Sequence, residues 1–206
     1  MRTNSELREA ALRSLSGKWG NAAVMVLLYY FILLAVTGAL SAKDSTGASG
    51  LLVYFILYPM IWGLIVAFLD VARGGGVNIG TLFEGFKDFA RIAVTGLLKY
   101  VYTVLWMLLL IVPGIIKSYS YSMTDYIMRD DPDIKNNAAI EKSMKMMEGN
   151  KMRLFMLDLS FIGWGILSIL TLGIGFLFLV PYVSTAHAHF YEDLKQNNDW
   201  VTSDIL

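Results

Sequence analysis

The stretch Pro113-Gly-Ile-Ile-Lys-Ser-Tyr-Ser-Tyr-Ser-Met-Thr-Asp125 is one of three segments in which a proline opens a run of mostly apolar or small residues that an acid closes. The others are Pro59-Met-Ile-Trp-Gly-Leu-Ile-Val-Ala-Phe-Leu-Asp70 and Pro181-Tyr-Val-Ser-Thr-Ala-His-Ala-His-Phe-Tyr-Glu192. Each lies behind a long hydrophobic run, and a short charged stretch precedes each pair, which describes three hairpins. Pro-Gly and Gly-x-Gly break helices, so tight turns are placed near Val112-Pro113-Gly114 and Thr171-Leu-Gly-Ile-Gly175, with Ser41 to Gly50 as a polar outer loop. If Pro113 only kinked one long helix, Arg129 and the basic residues after it would lie on the outer side, against the positive-inside bias.

Composition sets the solvent of these hairpins. Of 206 residues 56% are hydrophobic and 17% charged, which exceeds what a water-facing surface tolerates. Trp19 to Ala42 carries no charged side chain, and a bilayer core of about 30 Å needs roughly 20 helical residues. The basic stretch before it, with Arg2, Arg8, Arg13 and Lys18, resembles a signal peptide, but the apolar core exceeds the roughly 7 to 15 residues of such a segment, so it is read as a retained helix. Six spans follow from the apolar runs: 19–41, 50–72, 91–112, 113–128, 152–171 and 173–192. Almost every basic residue then falls on one side or at its border, Lys99 among them, leaving Lys43 outside, and both termini are assigned to the cytoplasm of a bacterial inner membrane.

The inner connections have helical patterning. Thr81-Leu-Phe-Glu84 fits a capping box, with Leu82, Phe83, Phe86 and Phe89 on one stripe. Leu7, Ala10, Ala11 and Leu15 form another stripe, and Ile140, Met144 and Met147 a third, ahead of which Asp131 reads as an N-cap with Pro132 opening the helix. The unit is therefore amphipathic helix, span, Pro-marked span, repeated over 5–72, 77–128 and 134–194. Ser16-Gly-Lys18 and Glu148-Gly-Asn-Lys151 mark corresponding joins in the first and third units. The fold class is all-α: one integral membrane domain over 1–206, a polytopic helical bundle of six spans in three hairpins, each preceded by a cytoplasmic amphipathic helix.

Polar residues concentrate in the fourth and sixth spans. Hydroxyls and imidazoles facing lipid are unfavourable, so these two spans should form the centre of the bundle, either through interhelical hydrogen bonds or around a polar ligand cavity. Asp158 and His187 lie at comparable depth and are set to pair, or to be satisfied separately by Tyr or Ser hydroxyls. Lys117 sits one turn in from the outer end, where it snorkels to headgroups or meets a substrate. The candidate ligand-binding residues are Lys117, Tyr121, Asp158, Tyr182 and His187. Asp70, Asp125 and Glu192 close their spans at the inner surface, with Arg73 and Arg129 as partners of the first two.

Other chemistries find no frame. No cysteine is present, and His187 and His189 at i,i+2 point to opposite sides of a helix, so no metal and no cofactor are expected. Gly74 to Gly76 lack the Lys-Ser/Thr frame of a phosphate loop. No paired carboxylates or nucleophile with a base stand at readable spacing, so no enzymatic activity is expected. With 17 basic and 17 acidic residues, a nucleic-acid partner is not expected either.

The run Val112-Pro-Gly-Ile-Ile-Lys-Ser-Tyr-Ser-Tyr-Ser-Met-Thr-Asp-Tyr-Ile127, with Ala139-Ile-Glu-Lys-Ser-Met144, Leu159-Ser-Phe-Ile-Gly-Trp164, Gly173-Ile-Gly175, Pro181-Tyr182 and Phe190-Tyr-Glu192, resembles the bacterial integral-membrane family catalogued as domain of unknown function 975. The N-terminal Leu7-Arg-Glu-Ala-Ala-Leu-Arg13 and Leu15-Ser-Gly-Lys-Trp19 fit as well. That family is distantly similar to the membrane domain of glycerophosphodiester phosphodiesterases. The resemblance implies a lipid-associated setting and no phosphodiesterase activity, because it brings no catalytic barrel. The function expected is that of a non-enzymatic membrane protein binding lipids or a cytosolic or membrane protein partner; the alternative is a small transporter or channel with a polar path along the fourth and sixth spans.

Overall fold

The computed structural model describes residues 1–41 and 49–197. The polar outer loop and Lys43 lie outside the described residues. Among those described the chain is helical: α1 (Asn4–Leu15), α2 (Trp19–Ser41), α3 (Ser49–Ala72), a 3₁₀ helix (Ile79–Phe86), α4 (Phe89–Leu109), α5 (Ile111–Ser120), α6 (Thr124–Asp130), α7 (Asn136–Met146), α8 (Lys151–Leu159), α9 (Ile162–Leu170) and α10 (Phe176–Asn197). Four segments are long and apolar enough to cross a membrane: Trp19–Leu40, Val53–Ala72, Phe89–Leu109 and Lys151–Leu170. The other two expected spans differ for stated reasons. The run 113–128 is interrupted by turn residues 121–123 between α5 and α6, and α10, though long enough, carries two histidines, hydroxyls and acids that lower its apolarity.

The chain doubles back at Leu110, whose backbone is extended (φ −159°, ψ 138°). Beyond it Lys117 lies over Trp106 and Tyr121 beside Tyr102, so α4 and α5 run antiparallel. Pro113 sits in the first turn of α5, where its missing N–H is an orphan position anyway. The second turn back uses Leu172 (φ 54°) and Gly173 (φ 88°), both left-handed, between α9 and α10.

The centre of the bundle is α3 rather than the fourth predicted span. Of its apolar window 67% is buried, against 11% for α2, and Val66, Phe68, Leu69 and Val71 are fully enclosed. Two glycines explain how it gets there. A Cβ on Gly63 would run into the Leu82 and Thr81 carbonyls, and one on Gly85 into the Pro59 carbonyl, so α3 and the 3₁₀ helix meet backbone to backbone. With apolar lipid as solvent, such close van der Waals packing is what holds helices together. α10 and α6 pack on other faces of α3, while α5 buries only Gly114 and Ser120.

The amphipathic segments turn their apolar faces inward. Leu7, Ala11 and Leu15 are completely buried, with α1 packed on α10 and α3, and α7 buries Ala139, Ile140, Ser143 and Met146. A capping box does exist, but at Thr3 and Glu6. The expected box at Thr81 is replaced by Asn78, whose side chain accepts from the Gly80 N–H at 2.9 Å, because Glu84 is drawn to Arg129 at 2.9 Å. Only the 3₁₀ segment leaves aromatic side chains exposed, Phe83 and Phe86. Asp131 ends α6 instead of capping α7, which starts four residues after Pro132 at Asn136.

At their C-terminal ends α3, α6 and α10 are tied by crossed ion pairs. Arg73 bonds Glu192 and Asp130 at 2.7 Å each, Lys195 bonds Asp130 at 2.7 Å, and Arg129 reaches Asp70 at 3.5 Å. The expected pairing of Arg73 with Asp70 and of Arg129 with Asp125 does not form, because Arg73 is taken by Glu192 and Asp130, Arg129 by Glu84 and Asp70, and Asp125 by Lys99. Burial works to raise the Asp130 carboxyl, but hydrogen bonds from Lys195, Arg73 and Tyr191 outweigh it and hold it below the ordinary carboxylate range.

Two expectations follow. Gly17 and Gly149 have φ of 73° and 74°, so Gly17→Ala and Gly149→Ala should each destabilise the protein by roughly 1–2 kcal/mol, read as a lowered Tm in detergent. Because the Asp130 pKa is depressed on folding, its contribution is fully present above the unfolded carboxylate value near about 4 and is lost as pH falls through the lower folded value. Thermal melts of wild type and Asp130→Asn should therefore differ at neutral pH and converge on acidification below that value.

Candidate functional site

Lys99 stands at the midpoint of α4, roughly 15 Å from either end at about 1.5 Å per residue, and not at the inner border where charge counting puts it. An ammonium at that depth needs a counter-charge. It has one: Lys99 Nζ lies 2.5 Å from Asp125 Oδ2, and Asp125 is only 4% exposed. The Tyr58 hydroxyl donates to Asp125 Oδ1 at 2.7 Å and accepts from Lys99 at 3.1 Å. The Trp62 indole N–H donates to the Asp125 carbonyl at 3.2 Å, anchoring α6 to α3.

Each member is positioned by the local fold. Gly96 on α4 leaves room for the Tyr58 ring, which a Cβ would strike. The turn at 121–123 restarts the helix at Thr124, so that Asp125 lies in the first turn of α6 and faces α3 and α4. A cavity of about 320 Å³ opens beside the pair, lined by Tyr54, Lys99, Tyr100, Thr103, Ser118, Tyr121, Ser122 and Asp125. The Thr103 and Ser122 hydroxyls donate to the carbonyls of Lys99 and Tyr119, each at 2.8 Å.

A second polar cluster joins α8, α10 and α5. His187 Nε2 is 2.5 Å from Asp158 Oδ1, and the Tyr119 hydroxyl donates to Oδ2 at 2.9 Å, so the carboxylate is held both by the imidazole and by a tyrosine. His189 turns away, as its spacing requires, and its Nε2 meets Ser14 Oγ on α1 at 2.9 Å. A third feature is apolar. A cavity of about 410 Å³ lies between the start of α2, α9 and α10, walled by Trp19, Trp164, Leu167, Phe178, Leu179 and Tyr182. The Ser168 and Thr171 hydroxyls at its wall are consumed by the Trp164 and Ser168 carbonyls at 2.8 and 2.9 Å.

The five residues singled out in the sequence thus fall in different places. Asp158 and His187 meet. Tyr121 lines the cavity beside Asp125, Lys117 sits over the Trp106 ring at 5.0 Å from its centroid, and Tyr182 packs edge-on to Phe161 beside the apolar cavity. Tyr58, Lys99 and Asp125 are the group that sequence reading missed. A lone cation in the middle of the apolar run 92–112 was the available signal for Lys99; nothing distinguished Tyr58 from the other tyrosines.

Removing one member of a buried pair leaves an uncompensated charge, so Lys99→Met should cost about 3 kcal/mol or more. The double variant Lys99→Met/Asp125→Asn should recover much of that loss, and Tyr58→Phe alone should cost about 1 kcal/mol. Thermal unfolding of the variants in one detergent measures all of these.

Comparison with known proteins gives a family and nothing finer. No curated protein matches the chain, and no solved structure does. The family model described as "Protein of unknown function (DUF975)" matches residues 1–117 and 107–198, two stretches that meet across the start of α5. Matched over nearly its whole length, the chain belongs to the DUF975 family.

Proposed function

We propose that this chain is a non-enzymatic lipid-binding protein of a bacterial cytoplasmic membrane, built as six spans in three repeated hairpins with both termini in the cytoplasm. In that arrangement α5 with α6, and α10, are the Pro-marked partners of α4 and of α8 with α9. Matching left-handed glycines at Gly17 and Gly149 support a repeated unit. So does the cyclic order of the crossed pairs, in which each Pro-marked helix neutralises a charge of another.

One observation carries the lipid reading: the apolar cavity of about 410 Å³ between α2, α9 and α10. Its walls are aromatic and aliphatic, and the Ser168 and Thr171 hydroxyls on it are already bonded to nearby carbonyls, which suits a hydrocarbon chain better than a polar solute. Trp19, at the start of α2, supplies an amphipathic ring typical of a membrane–water boundary. The inward-facing α1 and α7 leave their polar faces to water, where a cytosolic or membrane protein partner would dock.

The transporter alternative draws on the mid-depth polar clusters. Among the described residues no hydrogen bond joins the Lys99–Asp125 cluster to the Asp158–His187 cluster, and each closes on itself, so a continuous polar path has less support than a lipid pocket.

Native mass spectrometry with lipidomics of gently extracted protein tests the proposal. A stoichiometric phospholipid is expected on wild type and should be lost from Leu167→Trp, which fills the cavity at a half-exposed position, without loss of fold. Protein carrying only bulk lipid, or a bound lipid indifferent to Leu167→Trp, would sink it.

A further inference from the structure

The cavity beside Lys99 and Asp125 has its own chemistry, independent of the lipid-chain pocket. We propose that it binds a vicinal diol of a sugar ring. Charge comes first. The ammonium and carboxylate are 2.5 Å apart and compensate each other, so a lone anion meets Asp125 and a lone cation meets Lys99. The favoured ligand carries a donor and an acceptor on adjacent atoms without net charge. Two neighbouring hydroxyls do so, one donating to the carboxylate and the other accepting from the ammonium.

The hydrogen-bonding capacity is there. A lysine ammonium has three N–H donors, of which Asp125 and Tyr58 take two. A carboxylate offers about four lone-pair sites, and among the described residues Tyr58 and Lys99 use one on each oxygen of Asp125. Thr103 and Ser122 have spent their protons on helix carbonyls, so toward the cavity they only accept. A phosphate group, itself an acceptor, finds the remaining ammonium proton and the Tyr100 and Tyr121 hydroxyls but also the Asp125 carboxylate, which repels it; a polyol finds both donors and acceptors. Tyr100 and Tyr121 add aromatic surface for the apolar C–H face of a sugar. At about 320 Å³ the cavity lies at the low end of ligand pockets, roughly 300–1,000 Å³, which suits one ring rather than two.

A free monosaccharide and the headgroup of a glycolipid share this chemistry. The full chain in phospholipid nanodiscs is titrated with glucose, octyl glucoside, octyl phosphate and octyltrimethylammonium, and contact is read by saturation-transfer NMR on the headgroup protons. Saturation of the sugar protons of glucose or octyl glucoside, with little transfer to the charged headgroups, is the expected result. Binding of glucose itself identifies a soluble sugar as sufficient, and binding of octyl glucoside alone identifies a lipid-borne one. Thr103→Val and Ser122→Ala, which leave the ion pair in place, should each weaken binding roughly fivefold, the equivalent of one hydrogen bond, with Tm maintained. Equal or stronger transfer to octyl phosphate or octyltrimethylammonium, no transfer to either sugar, or affinity unchanged in both variants would overturn the proposal.

Discussion

A positive charge halfway along a hydrocarbon-length helix constrains everything around it. Lys99 is stable at that depth because Asp125 and Tyr58 converge on it, and they come from α6 and α3. Three helices are thereby locked in one register: α4 cannot rotate without stranding the ammonium, nor α6 without stranding the carboxylate. The Trp62 bond to the Asp125 carbonyl and the room left by Gly96 serve the same arrangement. Lipid supplies no hydrophobic drive for helices to associate, so a pair this costly to break does much to specify which helix faces which.

What the sequence made legible was the set of apolar runs and the turns that divide them. The breaks fall at Leu110 and around Leu172 and Gly173, close to where Pro-Gly and Gly-x-Gly placed them, because such residues act through local backbone sterics. Asp158 with His187 was readable too, since depth along a helix follows from counting residues. Harder to see were features set by neighbours. Counting basic residues as boundary markers treats every lysine as an end, which hid the depth of Lys99. Crossed pairing of Arg73 and Arg129 depends on which helix ends lie side by side, and Asn78 outcompetes Thr81 as a cap because a partner from α6 removes Glu84. The centrality of α3 comes from backbone contact at Gly63 and Gly85, which no apolarity scale registers.

The inward faces of α1 and α7 revise the picture of three helices floating on a leaflet. Most of their apolar residues are spent on the bundle, so they brace it, and outward they offer mainly polar and charged side chains, with Leu12 of α1 the exposed exception among their large apolar residues. Of the 3₁₀ helix, Ile79, Phe83 and Phe86 stay exposed, more large apolar side chains than α1 or α7 leaves uncovered.

The crossed ion pairs also bear on how such a chain is made. Arg73 finds one partner 57 residues later in the chain, at Asp130, and another 119 residues later, at Glu192. During synthesis Arg73 meets Asp130 first and gains Glu192 only once α10 has followed. A chain stopped before α10 keeps Arg73 and Asp130 paired and lacks Glu192 and Lys195. The last helix thus adds one charge of each sign to a pair that already exists, and completes the cluster without changing its net charge.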